Sequence, residues 1–274
     1  KDYVNNNIIF AEHQWKIVRI NGDGSIRLMY NGICPDNNCT INSTGEATQI
    51  GTSDFNTNYN DAKYVGYMYG GAAGVASTSR EQATTNETSS TMKTYLDTWY
   101  SNNISGTDYE NYISDTLFCN DRQLRSKVGG GTYGPGFGTS YTQYAAIYRL
   151  YITKNPDLKC GLKNDRFTVS DESIGNGALT YPVGLITADE TALAGMKSYI
   201  NNSTNYLYTN QNWWSFSPYC MRSDGNAYVW RVNSSGNLLI NHVLDVGGVR
   251  PGVSIRSETR VTGNGTATDP YVVQ

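Results

Sequence analysis

The chain has 274 residues, enough for one large domain with a real core. Charged residues make up 16%, below the roughly 25% of an average soluble domain, so solubility falls to Asn, Ser, Thr, Gly and Tyr. A formal net charge of -3 leaves no basic footprint for nucleic acid, and no apolar run reaches the roughly 18 residues that span a bilayer.

The chain opens on Lys1-Asp2-Tyr3 with neither initiator Met nor signal peptide, as expected of a processed or trimmed piece of something longer. Residues 8–10 and 15–20 alternate or run apolar, and 25–30 alternates Ile26, Leu28 and Tyr30. Asn21-Gly22-Asp23-Gly24 joins the latter two as a hairpin turn. Residues 31–62 are polar and turn-rich, 64–69 reads as a strand, and a Gly/Ala/Ser/Thr loop follows to about Glu87. Met92, Tyr95, Leu96 and Trp99 then fall at helical spacing, with Ser89 or Ser90 as cap and an end near Asn103. The stretch 115–145 is mostly loop, and its glycine runs lack the Lys-Ser/Thr ending of a phosphate-binding loop. Thr187-Ala188-Asp189-Glu190 is a capping box that opens a second helix, with Leu193 facing in and Gly195 stopping it. Short strands and turns fill the rest, which gives an α+β pattern of two helices among many short strands and long loops.

Five cysteines are present. Cys34 and Cys39 bracket Pro-Asp-Asn-Asn, a turn-forming insert that brings them within disulfide reach. Cys119 and Cys160 sit in similar settings, so two disulfides with Cys220 free are expected; the alternative is five reduced, buried thiols. Tyr outnumbers Phe 22 to 6, which with the low charge suits an extracellular protein with wet sheet faces. The cysteine spacing fits no zinc pattern, and His13 and His242 are the only histidines. No serine elbow or cysteine-centred motif marks a nucleophile. Asp165, Asp171, Glu172, Asp189 and Glu190 are the acids available to a paired-carboxylate hydrolase, but no spacing singles out a pair. Asp165, Asp171 and Glu172 are also the acids for a calcium site, against the simpler reading of a solvated acidic loop. The expectation is no enzyme and no cofactor, with calcium kept as the one alternative.

The densest signal lies at 213–251, where Trp213, Trp214, Tyr219, Tyr228 and Trp230 crowd into strand-and-turn sequence. Rigid amphipathic rings beside Ser, Asn and Gly are how recognition surfaces are often built. Adjacent Trp213 and Trp214 point to opposite faces of a strand, one core and one a candidate for exposure. If Ala227 and Val229 pack inward, Tyr228 and Trp230 face outward; two-sided burial is the alternative. The expected contact residues are Trp214, Tyr219, Arg222, Tyr228, Trp230, Asn233, Asn241 and His242. Arg250, before Pro251, reads as a half-buried guanidinium holding a carboxylate and loop carbonyls.

An ordered set of motifs runs through the chain: 16–20 with 27–30, Lys93-Thr94-Tyr95-Leu96-Asp97-Thr98-Trp99-Tyr100, Phe118-Cys119-Asn120-Asp121, 176–190, Trp214-Ser215-Phe216-Ser217-Pro218, Gly248-Val249-Arg250-Pro251 and 263–273. It resembles a family of surface-exposed proteins from Gram-positive, often gut-dwelling, bacteria. Through the tryptophan-rich segment and the final Gly-Val-Arg strand, that family is similar to the C-type-lectin-like fold shared by formylglycine-generating enzymes and variable receptor proteins. The resemblance implies one C-type-lectin-like α+β domain over 1–256, two main helices around short twisted antiparallel strands, and an extended tail or strand over 257–274. It places ligand contacts at about 213–246. The Glu-Pro-Asn, Gln-Pro-Asp and Trp-Asn-Asp motifs of calcium-dependent lectins are absent, and Cys220 alone follows Cys160, against the paired cysteines of the oxidases. The implied role is an adhesin or receptor-type module, secreted or on a bacterial surface, with a host or microbial glycan or surface protein as partner. The second expectation is a pilus or filament subunit whose tail adds to a neighbour's sheet edge.

Overall fold

Apolar alternation around the turn at 21–24 builds a meander of β1 (Asn7–Phe10), β2 (His13–Ile20) and β3 (Ile26–Ile33). This is a computed structural model that describes residues 4–274; the opening Lys1-Asp2-Tyr3 lies outside the described residues. The chain continues through β4 (Gly51–Ser53), β5 (Met68–Tyr69), α1 (Arg80–Ala83), β6 (Thr88–Ser89) and α2 (Thr91–Asn103). The middle carries β7 (Phe118–Cys119), β8 (Thr142–Gln143), β9 (Arg166–Phe167) and α3 (Ala188–Leu193). The last third is strand-rich: β10 (Trp213–Met221), β11 (Ala227–Val232), β12 (Leu238–His242), β13 (Gly247–Val249), β14 (Gly252–Ile255), β15 (Val261–Thr262) and β16 (Tyr271–Val273).

Among the described residues, two six-stranded sheets organise the chain. The first has the order β14-β3-β2-β1-β16-β15, and the second β12-β11-β10-β13-β4 with β8 also on β10. Residues 257–274, set apart in the sequence as a tail, include β15 and β16. There β16 lies parallel to β1, with Ile8 opposite Tyr271.

The expected two-helix C-type-lectin-like α+β fold is corrected here: sheets dominate. The three α-helices span 4, 13 and 6 residues. The helix capped by Ser90 and the capping box at Thr187 both form, but only the first grows long. Its apolar spacing buries Met92, Leu96 and Tyr100, whereas α3 halts before Gly195, whose φ is 99°. Leu193 is 55% exposed instead of facing in, because α3 turns its first residues to the core. At 64–69, Asp61 caps a 3-10 turn (Ala62–Val65), and only Met68–Tyr69 pairs as strand.

Strand β10 is covered on both faces. Trp214 and Phe216 enter the larger core with Val229, Leu96 and Tyr100. Trp213 enters a second core with Trp230, Val232, Ile186, Met196 and Leu207. The Trp214 indole donates to the Ser53 carbonyl at 2.8 Å. A Cβ on Gly247 would sit 2.9 Å from that indole nitrogen, so a residue without one holds this place in β13. Arg250 is fully buried and donates to Tyr30 O, Leu207 O and Asn31 Oδ1, each at 3.0 Å. Among the described residues, carbonyls and an amide, and no carboxylate, hold it, and burial pulls its guanidinium below its usual range.

Both expected disulfides are present, Cys34–Cys39 and Cys119–Cys160, while Cys220 is free and buried. Two such bonds fit a chain that folds in an oxidising compartment. No helix among the described residues is long and apolar enough to cross a membrane. Beside the second disulfide, Arg122 and Asp165 form a buried ion pair, with Nε to Oδ1 at 2.5 Å.

Candidate functional site

The outer face of the second sheet is built by strand pairing. Tyr228 on β11 lies opposite His242 on β12, and Trp230 opposite Ile240, so all four side chains share one face. Trp230 is fully buried under α3 and residues 196–207, but the ends of the face emerge at the surface. At one end the rings form a row. Tyr59, 39% exposed, packs edge-on against His242 at 5.2 Å, and His242 packs against Tyr228 at 5.4 Å. The Arg222 guanidinium then lies 5.2 Å from the centre of the Tyr228 ring. Beyond Trp230, Tyr219 meets that indole at 4.9 Å, and Tyr199 meets Tyr151 at 5.3 Å. Burial, and then Tyr199, push the Tyr219 hydroxyl above its usual range.

This changes the contact set expected from sequence. Arg222, Tyr228 and His242 come together, and Tyr219 joins the same face half-buried. Trp214 and Trp230 are both 0% exposed and offer nothing to a partner, because each face of β10–β11 is covered by a separate core. Asn233 sits at the far end of the β11–β12 hairpin, where Oδ1 accepts from Ser235 N and Asn237 N. Asn241 pairs with Val229 and takes the opposite face from His242. Tyr59, Tyr151 and Tyr199 were missed; they lie in stretches without periodicity, and the surplus of Tyr over Phe was the only signal for them.

A second constellation is ionic. A small cleft of about 30 Å³ lies between β3, β10 and α3, lined by Arg19, Arg27, Asp121, Arg149, Asp189 and Glu190. Arg149 donates to both Asp189 oxygens at 2.8 Å and to Asp121 at 2.5 Å. Glu190 accepts from Arg19 at 2.7 Å and closes the Thr187 capping box. Burial pushes the Glu190 carboxyl up, but Arg27, Arg19 and the Thr187 amide outweigh it and hold the group below its usual range. Asp121 goes the other way: burial lifts it to about 6 despite Arg149. Its backbone is left-handed, with φ 43°. Asp121, Asp189 and Glu190 each engage an arginine, so this part of the cleft reads as a clamp that pins α3 to the sheets.

Asp121 therefore opposes folding when ionised. Its native carboxyl titrates near 6 against an ordinary 3.8, so the stability its neutral form supplies is full below 3.8 and lost as pH rises through 6. Asp121→Asn keeps a residue that tolerates the left-handed backbone and removes the charge. It is expected to be more stable than the parent by about 3 kcal/mol at pH 8, with the gap closing toward pH 4. Urea melts of both proteins across that range check it.

The other acids lie apart. Asp165 is held by Arg122, and Asp171 folds back on Ser173 and Ile174. Among the described residues no three His, Cys, Asp or Glu side chains are grouped to hold a metal. No family model, no curated protein and no solved structure matches the chain.

Proposed function

We propose that this chain is an extracellular binding module of the adhesin or receptor type, secreted or held on a bacterial surface, which recognises a glycan or surface protein. The observation that carries the reading is the row Tyr59–His242–Tyr228–Arg222, continued across the Trp230 floor by Tyr219, Tyr199 and Tyr151. Tyrosine gives stacking area and a wet hydroxyl at low entropy cost, which suits sugar rings and protein side chains alike. The two disulfides and the likeness of the motifs to Gram-positive surface proteins support the location.

A glycan array and a cell-binding assay test it, each run with the parent and with Tyr59→Ser/Tyr228→Ser. Both side chains are partly exposed, so folding is expected to hold while binding falls about tenfold or more. Unchanged binding by the variant, or empty results in both assays, overturns the reading. The alternative of a filament subunit finds its one support in β15, whose two exposed residues sit at the outer edge of the first sheet. Against it, β16 already occupies its own chain's sheet beside β1. Monomers in size-exclusion chromatography and electron microscopy favour the module, and polymers the filament.

A further inference from the structure

Next to the tyrosine face lies a groove of about 370 Å³, in the size range of small-molecule sites. Leu150, Pro156, Ala192 and Met196 form its floor. One wall follows a π-helical turn (Tyr148–Ile152), and the other the 196–200 segment, where Lys197 and Ile200 bridge. Its charge is of one sign. Lys154 and Lys197 line it, no Asp or Glu does, and neither ammonium has an ion pair among the described residues. Both lysines are exposed and free to bend over the groove. Ser198 Oγ, also lining it, is buried without a hydrogen-bond partner. Exposed Ile200 adds apolar surface to the lining.

We infer that this groove binds a free aliphatic carboxylate: a chain on the apolar floor, with its anionic head between Lys154 and Lys197. An apolar floor selects methylenes over sugar hydroxyls, because each buried CH₂ is favourable and each buried hydroxyl needs a partner. Two unpaired cations with no acid beside them select an anion over a neutral or cationic head. The site is separate from the Tyr59–Arg222 row, so it stands or falls independently of the recognition reading.

Calorimetric titration of the intact chain with decanoate below its micelle concentration tests the assignment, with decanol, acetate and anionic vesicles as parallel ligands. Saturable one-to-one binding of decanoate is expected, with decanol and acetate each about tenfold weaker or more. Lys154→Ala/Lys197→Ala is expected to lose about tenfold toward decanoate and little toward decanol, and added salt to weaken the parent only toward decanoate. In NMR spectra the Met196 methyl signal moves on titration. Decanol binding as tightly as decanoate, an unchanged double variant, binding to vesicles alone, an unmoved Met196 methyl, or no saturable uptake would each overturn it. Tyr59→Ser/Tyr228→Ser retains decanoate binding, which separates failure of this site from failure of the recognition face.

Discussion

Replacing Arg122 with methionine is expected to cost about 3–5 kcal/mol of folding stability. Arg122 is 1% exposed and its partner Asp165 0%, so the substitution strands a carboxylate away from water. The guanidinium also donates to Met68 O at 2.8 Å, Thr84 O at 3.0 Å and Asn164 O at 3.2 Å. It thus ties together three segments that share little regular structure. Methionine restores the volume and none of these bonds. The pair Arg122→Met/Asp165→Asn is expected to recover part of the loss, because the unpaired charge is then gone. Urea melts of the four proteins in that cycle measure it. A loss below about 1 kcal/mol for Arg122→Met would show that the pair is solvated.

The two disulfides are expected to differ in worth. Cys119 and Cys160 are 41 residues apart and Cys34 and Cys39 only 5, so the first closes a far longer loop in the unfolded chain. Loop entropy puts removal of Cys119–Cys160 by paired alanines at about 4 kcal/mol and of Cys34–Cys39 at about 2 kcal/mol. The order matters more than the values. Residues 120–160 contain only β8 and one π-helical turn, so the disulfide adds to the Arg122 and Arg149 networks and to the buried side chains of Tyr144, Ile147 and Leu150 in holding them. Thermal melts of the two double-alanine proteins test the order, and a larger loss from the short loop would contradict it.

What was readable in the sequence was local. The turn at 21–24, the cap at Ser90, the box at Thr187 and the cysteine settings each act over a few residues, and each formed. The spacing of Trp213 and Trp214 correctly set them on opposite faces, yet it carried no information about what covers those faces. The cover over Trp230 comes from 146–150 and 186–207, where the Thr187 box announced a helix but not what it would lie against. The same gap hid the recognition row: Tyr228 was legible beside His242, but Tyr59 arrives from a polar loop far upstream. It also misplaced Asn233, because a hairpin sends its turn and its strand ends to opposite poles. Asp189 and Glu190 stood out as acids, whereas Arg19, Arg27 and Arg149, which occupy them, become neighbours only through the fold. The two-helix C-type-lectin-like α+β expectation failed for a related reason, since a cap signals where a helix begins and not how far it runs.

Hydroxyl-radical footprinting, on the chain alone and then bound to the cells or glycan it captures, addresses the recognition face most directly. Oxidation of Tyr59, Tyr151, Tyr199 and Tyr228 in the free chain is expected, with Trp213, Trp214 and Trp230 spared and the tyrosine signal lost on binding. Oxidised indoles in the folded chain, or protection that falls elsewhere while these tyrosines stay reactive, would contradict it.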